Sequence, residues 1–121
     1  MDNWASAMIG RYILIVEDDY LIATDMAVSL EAMGAHILGP AASVRDALDI
    51  VEAVLHLDGA AVDLKLRDDM AFPVAEALLK RGTFFVFATT DDEAASPARF
   101  GKIVTCPKPV NSLQITHALL G

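Results

Sequence analysis

The 121 residues of the chain carry 17 acidic against 9 basic side chains, a formal net charge of −8, and 55% of them are hydrophobic. That length suits one domain with a single core, and the negative balance argues against nucleic acid or an anionic membrane as a direct partner, since both require a basic face. No apolar stretch reaches the length of a membrane span, no segment has the pattern of a signal peptide, and the lone Cys106 excludes an internal disulfide, so a cytoplasmic chain is expected.

Residues 1–10 show no periodicity and read as an N-terminal extension with Trp4 packing on the surface, leaving residues 11–121 as the domain. Tyr12-Ile13-Leu14-Ile15-Val16 has the length and β-branched content of a buried strand and stops at Glu17-Asp18-Asp19. Asp19 is the expected N-cap of a helix reaching about Met33, with Ile22, Met26, Leu30 and Met33 at near-helical spacing and Gly34 as its stop. His36-Ile37-Leu38 is the second strand, ending at Gly39-Pro40. Ser43-Val44-Arg45-Asp46 has the form of a capping box, and Val44, Ala47, Leu48, Val51 and Leu55 mark one face of the helix after it.

Ala60 to Asp63 is a third strand, a short apolar run ending in a carboxylate, followed by the polar loop Arg67-Asp68-Asp69-Met70. Pro73 can open a third helix that Gly82 closes after Lys80-Arg81. Thr83 to Ala88 is the fourth strand, ending in Thr89-Thr90. Asp91 to Gly101 allows only a short or broken helix, because Pro97 interrupts it. Lys102-Ile103-Val104-Thr105 is the expected fifth strand, and Asn111 can cap a last helix reaching Leu120. His36, His56 and His117 are too scattered for a zinc motif, and His56 falls near a helix C-terminus, where its partial charge suits the dipole. Strand and helix alternate as (βα)5, an α/β fold with a doubly wound, parallel five-stranded sheet and right-handed crossovers.

In such a sheet the strand ends share one rim, where open α/β sheets bind their ligands. Glu17 and Asp18, then Asp63, Thr89 and Lys108 all follow strands and so face one crevice. Three carboxylates there either hold protons or share a cation, and magnesium (or manganese) suits an oxygen-only donor set. One carboxylate can then act as nucleophile toward a phosphoryl group, with Lys108 offsetting charge and the Thr89 hydroxyl donating a hydrogen bond.

Ile15-Val16-Glu17-Asp18-Asp19, Val62-Asp63-Leu64, Phe87-Ala88-Thr89 and Lys108-Pro109, in that order and each at a strand end, resemble the receiver domain of two-component response regulators over roughly residues 11–121. The resemblance implies the flavodoxin-like strand order 2-1-3-4-5. It makes Asp63 the phosphoacceptor, with Glu17, Asp18, Asp63 and the backbone carbonyl of Lys65 holding Mg2+. Thr89 becomes the switch hydroxyl, Lys108 the phosphate contact, and the bond before Pro109 a cis peptide. With Phe72-Pro73-Val74-Ala75 and Leu38-Gly39-Pro40, the Phe-Ala-Thr string is similar to a subgroup of stand-alone receivers common in alphaproteobacteria.

The chain departs from the family pattern at three places. Thr105 occupies the position of the usual strand-five aromatic, so a tyrosine-type rotameric switch is excluded. Thr90 replaces a small residue, and the interval from Thr89 to Lys108 is short. The implied function is acceptance of phosphate on Asp63 from a sensor histidine kinase or histidine phosphotransferase, with output through an unknown downstream protein and a homodimer as a further option. The chain is then not an enzyme beyond its self-catalysed phosphoryl transfer and hydrolysis. The alternative is a phosphorylation-independent pseudo-receiver acting as an interaction module. An aspartate-based phosphatase would want a second acid where Lys65 stands. A flavin site would need a phosphate-cradling loop where Glu17-Asp18-Asp19 repels phosphate. The side chain of Lys65 flanks Asp63 and either slows phosphate loss or is simply solvated.

Overall fold

Continuous apolar runs become strands here because helices cover both faces of the sheet they form. In a computed structural model of the chain, residues 6–67, 69–89, 100–101, 103–108 and 112–120 are described. The strands are β1 (Tyr12–Val16), β2 (His36–Ala41), β3 (Gly59–Asp63), β4 (Phe85–Thr89) and β5 (Thr105–Pro107), and the described helices are α1 (Tyr20–Ala32), α2 (Val44–Ala53), α3 (Phe72–Arg81) and α4 (Ser112–Leu120). The strands form one parallel sheet in the order β2-β1-β3-β4-β5. The fold class and strand order are those expected.

Alternate residues of β1 serve opposite layers, as the two-residue period of a strand requires. Leu14 and Val16 pack with Val62, Phe87 and the α2 and α3 residues Val51, Val74 and Leu78. Ile13 and Ile15 pack with Ala61, Val86 and the α1 and α4 residues Met26, Leu30 and Ile115. The caps follow the sequence. Asp19 accepts hydrogen bonds from the Leu21 and Ile22 N–H groups, and Ser43 accepts one from Asp46 N–H. Gly82 ends α3 in the left-handed conformation at φ 76°.

Five details differ from the sequence reading, the smallest being that β4 runs from Phe85 to Thr89 rather than from Thr83 to Ala88. β2 does not end at Gly39-Pro40 but continues to Ala41 through a register shift opposite β1. Gly39 makes this possible: at φ +88° a side chain would be strained, and a Cβ there would meet Ala41 N at 2.7 Å. β5 lies at Thr105–Pro107 rather than Lys102–Thr105, because the pairing with β4 sets Thr105, Cys106 and Pro107 opposite Phe87, Ala88 and Thr89. That register buries Cys106 and leaves Val104 half exposed. Leu55 lies beyond the end of α2 and is 84% exposed instead of completing its buried face. The N-terminal stretch read as an extension supplies Met8, fully buried in the α1 and α4 layer, and Met8 N–H donates to Met33 C=O at 2.9 Å. Trp4, residues 91–99 of the short or broken helix expected over Asp91 to Gly101, the Asn111 cap and the peptide bond to Pro109 lie outside the described residues. Among the described residues the Gly39–Pro40 bond is cis.

Candidate functional site

Each site residue is delivered by the end of a strand. β1 releases Glu17 and Asp18 as the chain turns toward the Asp19 cap of α1. Glu17 N–H donates to Ala41 C=O at 2.9 Å, so the bulged extension of β2 fixes where β1 ends. Sequence reasoning missed Ala41 in this role; the signal was Gly39-Pro40 inside an otherwise extended stretch, a pattern that marks bulges. β3 ends in Asp63, and the next backbone N–H, of Leu64, donates to Ala88 C=O at 2.8 Å. Leu64 and Leu66 are buried while Lys65 is exposed, and Lys65 pairs with Met70 in a narrow antiparallel turn. Lys108 follows β5, its N–H donating to Thr89 C=O at 2.8 Å, so the β4–β5 ladder aims the lysine.

The side chains then converge. Lys108 Nζ lies 2.6 Å from Glu17 Oε1 and 3.0 Å from Asp63 Oδ2, across 45 sequence positions in the second case. The other oxygen of each carboxylate takes a backbone donor: Asp19 N–H to Glu17 Oε2 at 3.1 Å, and Lys65 N–H to Asp63 Oδ1 at 3.2 Å. Glu17 Oε1 is buried and has no hydrogen-bond partner of acceptable angle, so its short contact with Lys108 is an ion pair rather than a directed hydrogen bond. Glu17 and Asp63 are 2% and 5% exposed, and Thr89 is buried on β4 beside them. One oxygen each of Glu17, Asp18 and Asp63 lies within 4.8 Å of the others.

Burial dominates the electrostatics. It pushes the Glu17 carboxyl from 4.5 up to about 7, with Lys108 and the Asp19 N–H pulling it back and Asp63 adding to the rise. For Lys108 burial works downward, but the contacts with Glu17 and Asp63 outweigh it and its pKa is raised, so the ammonium stays charged. Burial also raises the Cys106 thiol, which suits an inert core residue. The rim opens onto a groove of about 440 Å³ lined by Glu17, Asp18, Tyr20, Thr24, Val28 and Pro40 among others.

The structure thus brings Glu17, Asp18, Asp63 and Lys108 together, with Thr89 on the adjoining strand. Three carboxylates with one deeply buried, poorly directed oxygen are the donor set of a hard divalent cation, and they fit Mg2+. Sequence reasoning directed Lys108 toward phosphate and Asp63; that the lysine sits nearer Glu17 was not legible, because nothing local in the sequence relates the two.

No family model and no curated protein matches the sequence. Solved structures do. The solution structure of SdrG from Sphingomonas melonis Fr1 is 36% identical, covers 96% of this chain and 99% of its own, and superposes with a TM-score of 0.80. The BeF3-activated conformation of SdrG from Pseudomonas melonis Fr1 is 36% identical over 90% of this chain and 94% of its own, with a TM-score of 0.73. A CheY-like response regulator receiver domain from Methylobacillus flagellatus shares the fold at 21% identity and a TM-score of 0.72, over 90% of this chain and 98% of its own. Among the described residues no helix is long and apolar enough to cross a membrane.

Proposed function

This chain belongs to the CheY-like receiver domains of response regulators, and from that premise we propose that Asp63 accepts a phosphoryl group and so switches a protein-binding surface. The observation that carries the reading is the convergence of Lys108 Nζ on Asp63 Oδ2 and Glu17 Oε1 in a buried, acid-lined rim. A carboxylate oxygen of Asp63 attacks the phosphorus of a phosphohistidine donor. The new O–P bond forms as the P–N bond to the imidazole breaks, and the electron pair leaves with the imidazole nitrogen. Lys108 and the Thr89 hydroxyl face the charge on the transferred oxygens. Glu17, Asp18, Asp63 and the Lys65 carbonyl would hold Mg2+, which when bound offsets negative charge on the phosphoryl group. The Lys65 backbone lies beside that site, its N–H donating to Asp63 Oδ1 at 3.2 Å. The product adds roughly −1.5 to −2 charge to the rim, enough to bias a two-state segment.

The donor is a sensor histidine kinase or histidine phosphotransferase, reaching the rim through the groove beside α1, and the reading implies a cytoplasmic protein. The chain turns over no external substrate beyond its own phosphorylation and dephosphorylation. Incubation with Mg2+ and acetyl phosphate, followed by intact mass, is expected to show one phosphoryl adduct in the wild type and none in Asp63→Asn. An unmodified wild type would overturn the reading in favour of a phosphorylation-independent interaction module, for which the exposed Thr105 in place of an aromatic is the supporting observation.

A further inference from the structure

The first two acids of the rim stand just past the end of β1, and β2 decides where that end lies. Val16 is the last residue of β1 in register with β3, opposite Val62. The next tie is on the other side, where Glu17 N–H donates to Ala41 C=O at 2.9 Å. That carbonyl is brought opposite Glu17 by one extra residue in β2: Leu14 stands opposite Leu38, but Val16 stands opposite Ala41. In an unshifted register Pro40 would face Val16, where the ladder needs an N–H that proline lacks; the shift puts Ala41 there instead. The extra residue is absorbed at Gly39, at φ +88°, where a Cβ would meet Ala41 N at 2.7 Å and Ile15 O at 3.0 Å. Both are backbone atoms, one on each strand, so neither can swing aside as a side-chain tip would. Pro40 and Ala42, exposed on either side of the buried Ala41, line the groove onto which Glu17 and Asp18 open.

We infer that Gly39 is a positioning residue for the acid rim. By leaving room for the register shift it lets Ala41 hold the end of β1 where Glu17 and Asp18 meet Asp63. The affinity of the rim for a divalent cation is thus set in part by a residue with no side chain to offer it. This rests on the reading of Glu17, Asp18 and Asp63 as the cation site. One oxygen of each acid lies within 4.8 Å of the others, and a small hard cation tolerates little further spread. A Cβ at position 39 would push Ala41 N away, and the Ala41 carbonyl moves with its residue. Glu17 then either follows that carbonyl and leaves Asp63, or stays and loses the bond. In both cases Asp18, the next residue along, loses the anchor that places it.

A second glycine supplies the control. Gly82, at the end of α3, also has a positive φ, +76°, but a Cβ there would meet nothing within 4 Å. Alanine at either position strains the backbone and lowers the urea midpoint, whereas only alanine at 39 displaces the anchor of the acids. Isothermal titration of Mg2+ alone, without any phosphodonor, is expected to show about tenfold weaker binding by Gly39→Ala than by the wild type. Gly82→Ala is expected to bind Mg2+ as the wild type does. Equal weakening in the two variants, or none in Gly39→Ala, would overturn the inference and leave the cation site standing. Absence of Mg2+ binding in the wild type would overturn the inference together with the cation site itself. Should Gly39→Ala fail to fold, hydrogen exchange of the wild type decides. A cation that binds only with the Glu17–Ala41 bond closed slows exchange of the Glu17 amide, about tenfold at Mg2+ ten times its dissociation constant. A Glu17 amide that exchanges at the same rate with and without bound Mg2+ would sink the inference.

Discussion

At the rim where the strands end, the side chains of Glu17, Asp63 and Lys108 are buried and held chiefly by one another; at the rim where the strands begin, the ties among the described residues are exposed or half exposed and involve no acid–base pair of this kind. There the Tyr12 ring lies between His36 and His56, with centroids 4.8 and 5.7 Å away. Tyr12 N–H donates to Asp58 Oδ2 at 2.8 Å. Close by, Arg81 at the end of α3 donates to Val51 C=O at 2.7 Å and Leu55 C=O at 2.9 Å, stitching down the carbonyls at the end of α2. The first rim concentrates like charge in a dry place, which costs stability and creates reactivity. The second satisfies helix ends and stacks rings, which adds stability and no chemistry. One sheet therefore keeps its strain and its staples at opposite ends.

The comparison can be pressed hardest at Glu17. In the metal-free protein its folded pKa of about 7 stands above the 4.5 of the unfolded chain. Between those values the folded chain keeps a proton that the unfolded chain has lost, so the contribution of this group to stability falls as pH rises from 4.5 to 7. Relative to Glu17→Gln, the wild type is expected to lose stability on the order of 2–3 kcal/mol across that window, measured by urea unfolding in EDTA. A wild-type-to-variant difference that stays flat with pH would show that the acid rim stores no such strain.

At the opposite rim, Arg81→Met is expected to cost about 2 kcal/mol through the two lost charge-assisted hydrogen bonds, while phosphoryl uptake on Asp63 stays at the wild-type level. If uptake fell along with the urea midpoint, the two ends would be coupled and the division between them false. Tyr12→Val removes both ring contacts but keeps a good strand former, and about 1 kcal/mol of stability should go with them. A variant that melts with the wild type would make the stacks incidental to the fold.

The reading from sequence succeeded where the physics is local. Runs such as Tyr12–Val16 and Ala60–Asp63 can be satisfied only as strands covered on both sides, and Asp19, Ser43 and Gly82 carry their capping chemistry in their own side chains or their own φ. It slipped where a partner decides. β-branched content points to Ile103 and Val104 for β5, whereas the ladder with β4 selects Thr105 to Pro107. The Gly39-Pro40 pair reads as the end of β2, but the pairing with β1 accommodates it through a register shift. Met8 gave no periodic signal, since a single buried side chain in a turn has no period to show.

By itself the sequence determined the (βα)5 alternation, the acids and the lysine that follow the strands, and hence which side chains share a rim, because strand and helix periods and the direction of a parallel sheet leave little choice. Only the tertiary structure decided that the lysine leans on Glu17 more closely than on Asp63, that Ala41 anchors the end of β1, and which oxygens remain without a backbone donor. Those facts depend on distances between segments far apart in the chain, and a distance of a few tenths of an ångström between buried charges is set by how whole layers pack, not by any residue alone.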